Sequence, residues 1–214
     1  MSLPFKFISI EGNIGSGKTS LVNKIINDFK GKVILEEFAE NPFLPDFYKE
    51  PEKHAFPLEM FFMAERFQQL SSNINHQDLF SELTVADYSF FKSKLFAQNN
   101  LKENELDLFN RLYNIMFSSI KKPDLLIYLH SDIKRLQQNI KKRGRQYERN
   151  ISDNYLKSIE TRYFNYINKQ SSYNILILDV TNVNFIKDQS IYAEIIAEIN
   201  KFDKSKKIIR KILS

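Results

Sequence analysis

Gly12, Gly15, Gly17, Lys18 and Thr19 stand at the spacing G-x-x-x-x-G-K-[ST], with Asn13, Ile14 and Ser16 between them. Three of the chain's five glycines fall in this one stretch. Such a loop lets successive backbone N–H groups converge on an anion, and a helix beginning behind it adds partial positive charge. In this pattern Lys18 reaches the β- and γ-phosphates of a nucleotide, and Thr19 offers its hydroxyl to Mg2+. The chemistry implied is the handling of a nucleoside triphosphate, with ATP and Mg2+ as the expected pair.

Two acids follow a short apolar run in "VILEEFAENPFLPDFYKEP". A carboxylate beside a terminal phosphate is repelled unless it has a task, and one such task is to take the proton of an attacking hydroxyl. Side chains alternate along a strand, so only one of Glu36 and Glu37 points inward. Further on, Lys141, Lys142, Arg143 and Arg145 cluster around Gly144. Cations there suit the negative charge that develops in phosphoryl transfer; a basic helix end that merely complements the helix dipole is the alternative. Glu59, Phe62, Met63 and Arg66 are spaced i, i+3, i+4 and i+7, which puts two opposite charges and two apolar groups on one helix face. A pocket wall and a surface ion pair both fit that pattern.

The elements that must position these groups are legible as alternation. Apolar runs at about 5–10, 32–36, 83–86, 124–130 and 174–180 read as five strands. Helical spacing occupies 17–29, 55–73, 103–120, 132–141, 152–170 and 188–200, with Gly31 as a stop for the first helix. Strands alternating with helices predict an α/β fold, a parallel sheet with helices on both faces, in which ligands bind beyond the C-terminal strand ends. The 214 residues suit a single domain, and 43% hydrophobic residues are enough for a core.

Cysteine is absent, which excludes disulfides, a thiolate nucleophile and a Cys-bound metal. The three histidines, His54, His76 and His130, show no ligand spacing. No signal-type segment and no apolar run long enough for a bilayer is evident, so the expectation is a cytoplasmic protein with no membrane partner. The net charge of +5 sits wholly in the tail from 201 to 214, where six basic residues face Asp203 alone. Such a tail reads as a solvated end or one packed on its own domain, and no nucleic-acid partner is expected. A GTPase would carry D-x-x-G and N-K-x-D after strands, and neither follows one here.

The segments "EGNIGSGKT", "EEFAENPFLPDFY", "AFPLEMFFMAERF", "VADYSFFKSKLFA", "KKRGRQYE" and "LILDV" occur in the order found in the deoxynucleoside kinases, a family this chain resembles from about Phe5 to Ile199. The resemblance implies a three-layer P-loop kinase fold, a lid at about 141–150, ATP-dependent 5′-phosphorylation of a deoxynucleoside for nucleotide salvage, and a homodimer. It matches Glu37 to the base for the 5′-hydroxyl, although Phe38 stands where proline is common. Tyr48 and Glu148 match contacts to the sugar, Arg66 and Phe96 match groups at the nucleobase, and Asp87 matches an acid near the 5′-oxygen and the metal. Arg143 and Arg145 match the lid arginines. Tyr88 replaces an arginine of the family, a loss that Lys92 or Lys94 could make good, and Asn139 replaces another.

The family usually has glutamine where Glu59 stands. Glutamine offers one donor and one acceptor, which complements adenine or cytosine, whereas an ionised glutamate offers two acceptors. Guanine presents two adjacent donors, N1–H and the 2-amino group. The expectation is therefore a purine deoxynucleoside, with deoxyguanosine preferred. A thymidylate-kinase-like monophosphate kinase and a non-catalytic nucleotide-binding protein are the alternatives.

Overall fold

A computed structural model of the chain describes residues 2–36, 41–75, 83–170 and 172–213. Its centre is a parallel sheet built from β1 (Phe7–Gly12), β2 (Lys32–Ile34), β3 (Thr84–Ala86), β4 (Leu125–His130), β5 (Asn174–Asp179) and β6 (Ile208–Ile212). The strand order is β2-β3-β1-β4-β5-β6. The helices are α1 (Lys18–Phe29), α2 (Leu44–Phe47), α3 (Pro51–Asn75), α4 (Phe91–Asn100), α5 (Glu103–Phe117), α6 (Ile133–Arg143), α7 (Asp153–Lys169) and α8 (Gln189–Asn200).

Alternation along the central strands divides the core into two. Leu125, Ile127 and Leu129 of β4 pack with Leu21, Val22 and Ile25 of α1 and with Ile191 and Ile195 of α8. Leu126 and Tyr128 point to the other face, against Ile159 and Tyr163 of α7 and Leu95 of α4. Both faces of the inner strands are buried, which is why these strands read as nearly continuous apolar runs.

The sheet has six strands where five were expected. The sixth comes from the basic tail, which pairs in parallel with β5 from Ile175↔Ile208 to Asp179↔Ile212. Leu213 is buried in the α1/α8 core, and the Lys211 ammonium lies 3.7 and 3.5 Å from Glu194 and Glu198 of α8. Arg210 and Lys211 interrupt the run of isoleucines, so an edge strand has the composition of a solvated tail. Helix α4 also lies outside the expected helices. It is packed between α3, α5 and α7 and buries Phe91, Lys92, Ser93, Leu95 and Ala97, so it has no single apolar stripe to betray it.

Three backbone positions carry special demands. At Gly12 an added Cβ would sit 2.6 Å from the Leu129 carbonyl oxygen, so only glycine lets β1 run this close to β4 as it enters the loop. At the end of α1 the left-handed residue is Lys30 (φ 50°), one position before the glycine expected to stop the helix. Gly31 serves a different need: a Cβ there would meet the Leu83 carbonyl oxygen at 2.5 Å. The two neighbours should therefore respond oppositely in urea denaturation. Lys30→Gly relieves a left-handed side-chain conformation and stabilises by about 1 kcal/mol. Gly31→Ala forces the β3 entry apart and costs about 1–3 kcal/mol. Equal effects of one sign would contradict this backbone assignment.

Candidate active site

Loop 12–17 turns from the end of β1 into α1. Gly17, in the left-handed region at φ 93°, occupies the N-cap position; no side chain caps the helix and no acid lies in its first turn. The amides and dipole at this end are thus left for an anion. The Lys18 ammonium donates to the Gly12 and Asn13 carbonyl oxygens, each at 3.0 Å. Burial, followed by repulsion from Lys92, pushes it down to about 8. An anion binding at the loop would offset both effects. Asn139, which stands where the family has an arginine, donates to the Gly15 carbonyl at 2.8 Å and so ties α6 to the loop.

Asp87 joins the two halves of the site. Its Oδ2 accepts from the Thr19 hydroxyl at 2.6 Å, and its Oδ1 accepts from the Glu36 backbone N–H at 2.7 Å. A hydroxyl and a carboxylate this close, at the foot of a phosphate loop, are the hard oxygen donors that Mg2+ prefers. Beneath them lies Glu11, fully buried, which accepts from the Ser89 N–H at 2.7 Å and the Tyr163 hydroxyl at 2.8 Å. It pins the segment following β3 to the strand that leads into the phosphate loop. Nothing in the sequence but its place in "EGNIGSGKT" pointed to it.

Of the two glutamates after β2, Glu36 faces the cleft. The parity is visible in its neighbours, since Ile34 packs into the α3 side and Leu35 into the α1 side, which returns Glu36 to the α3 side. Glu37, the position matched to the family base, lies outside the described residues. The Glu36 carboxylate accepts from Arg66 Nε at 2.8 Å and from Lys92 Nζ at 2.5 Å, with Arg66 Nη2 at 2.6 Å. Burial alone would raise its carboxyl, but the Lys92 ammonium and the Arg66 guanidinium outweigh it and hold the group well below the usual carboxylate range. Lys92 thus brings a positive charge to the Glu36 carboxylate, while the Tyr88 hydroxyl is turned to Gln69 at 2.7 Å. Lys94 lies elsewhere, over the Tyr113 ring.

The same cleft is lined by Glu59, Phe62, Phe96, Tyr48, Asn100 and Tyr155. Met63, on the same stretch of α3, is fully buried in the core instead. Glu59 is 1% exposed; its Oε1 accepts from Asn100 Nδ2 at 2.6 Å, and its Oε2 is buried with no hydrogen-bond partner. Arg66 is committed to Glu36 and to the Ser93 hydroxyl at 2.8 Å, so it makes no hydrogen bond to Glu59. Burial pushes Glu59 up to about 7 against the pull of Arg66, Asn100 and Lys92. Lys92, Phe96 and Asn100 recur every four residues, one face of α4. That spacing was available in the sequence, and only the missing helix hid Asn100.

Arg143 at the end of α6 and Arg145 just after it both reach Glu148, which is buried: Arg143 Nε donates at 2.9 Å and Arg145 Nη1 at 3.2 Å. Burial raises the Tyr48 hydroxyl well above its ordinary range, and the Tyr48 ring stacks on Tyr147 at 6.1 Å. Lys18, Thr19, Glu36, Tyr48, Glu59, Arg66, Asp87, Phe96, Arg143, Arg145 and Glu148 all line one cleft. The sequences Asp28–Gly31 and Asn200–Asp203 do spell D-x-x-G and N-K-x-D, but they straddle the C-terminal ends of α1 and α8 and neither follows a strand. No group of His, Cys, Asp and Glu able to hold a metal by itself occurs among the described residues. No helix among them is long and apolar enough to cross a membrane.

Comparison with known proteins agrees with this geometry. The deoxynucleoside kinase family model matches residues 8–204. A deoxyguanosine kinase of Bacillus subtilis (strain 168) is 30% identical over 199 residues, covering 91% of this chain and 96% of its own. The deoxyadenosine/deoxycytidine kinase of the same organism is 28% identical over 200 residues, covering 90% of each chain. Among solved structures, deoxyadenosine kinase from M. mycoides with bound dCTP superposes with a TM-score of 0.77 at 20% identity, covering 92% of this chain and 100% of that one. That likeness speaks to the fold. A phosphate loop, a caged carboxylate and paired arginines converge on one cleft, and a family match spans nearly the whole length: the chain belongs to the deoxynucleoside kinase family and is a phosphotransferase of deoxynucleosides that uses a nucleotide as phosphate donor.

Proposed function

We propose that the reaction is ATP plus a 2′-deoxynucleoside giving ADP plus the 5′-monophosphate, with deoxyguanosine the preferred acceptor, in cytoplasmic salvage. The observation that carries this reading is that Glu36 and Glu59 line one cleft together with Lys18 and Asp87, the first caged by Arg66 and Lys92 and the second with an unpartnered oxygen. The donor's phosphates lie on the amides of loop 12–17 and on Lys18. Thr19 and Asp87 would hold Mg2+, which when bound supplies positive charge against the donor's phosphates.

Glu36 takes the role of the base, displacing Glu37. Its low basicity suits the reaction. Phosphoryl transfer passes through a loose transition state, so the hydroxyl must be oriented first and loses its proton only as charge develops. A carboxylate kept ionised by Arg66 and Lys92 orients that hydroxyl at every pH near neutral. Arg143 and Arg145, on the segment 141–150 that we assign as a lid, leave Glu148 for the transferring group, and Glu148 and Tyr48 then face the sugar.

At the base end, the unpartnered Glu59 Oε2 and the remaining lone pair of Oε1 accept from guanine N1–H and the 2-amino group. Buried charge-assisted hydrogen bonds of this kind discriminate by about 10²-fold or more, because the wrong base leaves groups unpaired. Helix α5 supports a homodimer: Leu108 and Ile115, seven residues apart on one face, are 48% and 70% exposed.

Three measurements test these assignments. Glu36→Gln should lower kcat by about 10²–10⁴-fold with the affinity for ATP nearly unchanged, and Glu37→Gln should lower it by less than about threefold. The reverse pattern would return the base to Glu37. In competition among the four deoxynucleosides at about pH 8, wild type should favour deoxyguanosine, and Glu59→Gln should shift preference to deoxyadenosine or deoxycytidine. Equal use of deoxycytidine by wild type would refute the guanine reading. Light scattering should give a dimer for wild type and a monomer for Ile115→Lys, whereas a monomeric wild type would remove the α5 interface.

A further inference from the structure

The two oxygens of Glu59 stand in different surroundings. Oε1 is held by the Asn100 amide at 2.6 Å, and Oε2 is buried with no partner in a side chain that lines the cleft. A proton added to this carboxyl therefore goes to Oε2, because Oε1 already accepts from an N–H. The protonated group then presents a donor at Oε2 and an acceptor at Oε1, the same pair that a glutamine side chain presents. Ionised, it presents two acceptors.

Those two faces complement different purines. Adenine carries an acceptor, N1, beside a donor, the 6-amino group. Guanine carries two donors, N1–H and the 2-amino group. The two bases would sit offset by one position along their Watson–Crick edges, and their purine bodies would share the apolar walls formed by Phe62 and Phe96. Resting on the assignment of Glu59 to the nucleobase made above, we propose that the protonation state of Glu59 selects the substrate, the carboxylate accepting deoxyguanosine and the carboxylic acid accepting deoxyadenosine. The enzyme would thus carry a second acceptor activity, reached by uptake of one proton from solvent.

The charges around Glu59 permit both states. Arg66 from its own helix and Lys92 from α4 favour the carboxylate; Glu36, beyond the end of β2, opposes it. Tyr155 of α7 faces it as a phenol whose own ionisation burial suppresses. Arg66 and Lys92 are both engaged by Glu36, so neither makes a hydrogen bond to Glu59. With burial added, the group is pushed up to about 7. That lies where small changes of pH repopulate its two forms.

The test is the ratio of kcat/KM for deoxyguanosine to kcat/KM for deoxyadenosine, measured on the full chain between about pH 6 and 8.5, a range in which neither base titrates. The ratio cancels every ionisation common to both reactions, including any at the donor site or at Glu36. One substrate follows the ionised fraction of the free enzyme and the other follows the protonated fraction, so the ratio should rise by up to about tenfold per pH unit. In Glu59→Gln the ratio should be flat and favour deoxyadenosine. A flat ratio in wild type with deoxyguanosine preferred throughout overturns the protonation switch and leaves the guanine assignment standing. A ratio that rises equally in wild type and Glu59→Gln overturns it as well, because the titrating group then lies elsewhere. A wild type that prefers deoxyadenosine at every pH, or a base preference unmoved by Glu59→Gln, overturns the underlying assignment.

Discussion

A carboxylate placed beside a triphosphate is repelled from it, and on the proposed reading the site is organised around overcoming that repulsion. Glu36 is held by Arg66 on one oxygen and by Lys92 on the other, all three nearly buried. Removing either cation would leave a buried charge short of compensation, an arrangement that costs several kcal/mol in proteins generally. The cage fixes the position of α3 against α4 as well as the charge state of the acid. Asp87 extends it to the donor side, since the same carboxylate receives the Glu36 amide and the Thr19 hydroxyl. One aspartate after β3 therefore ties the segment carrying Glu36 to the first turn of α1.

The base end follows a different rule. Glu36 has two cations and stays charged; Glu59 has one amide donor and an unpartnered oxygen, and burial keeps its ionisation in balance. Two glutamates in one cleft thus differ because Arg66 pairs with the first and makes no hydrogen bond to the second. Divergent environments of this sort separate the roles of chemically identical groups.

Much of this was legible in the residues. The phosphate loop declared itself through glycine placement, and Gly12 proves irreplaceable because β1 runs against the Leu129 carbonyl. Five strands followed from apolar runs that a doubly covered parallel sheet demands. The sequence offers both Lys92 and Lys94 as substitutes for the family's arginine at Tyr88, and of the two it is Lys92 that lies against Glu36. The choice between Glu36 and Glu37 rested on an imperfect motif match; the alternation of Ile34 and Leu35 across the sheet returns Glu36 to the α3 side, and Glu37 lies outside the described residues. Helix α4 escaped because burial on nearly all sides erases the amphipathic signal, and Asn100 escaped with it. Strand β6 escaped because an edge strand tolerates the very charges that make a tail look solvated. Glu11 had no independent signature, since a buried acid under a phosphate loop is indistinguishable in sequence from an exposed one.

The most direct measurement of the central arrangement is a crystal structure of the chain with deoxyguanosine and a non-hydrolysable ATP analogue. The account predicts the 5′-oxygen at about 3 Å from a Glu36 carboxylate oxygen, with the guanine N1 and 2-amino groups against Glu59. A 5′-oxygen bonded to Glu37, with Glu36 still closed between Arg66 and Lys92 and remote from the sugar, would contradict it.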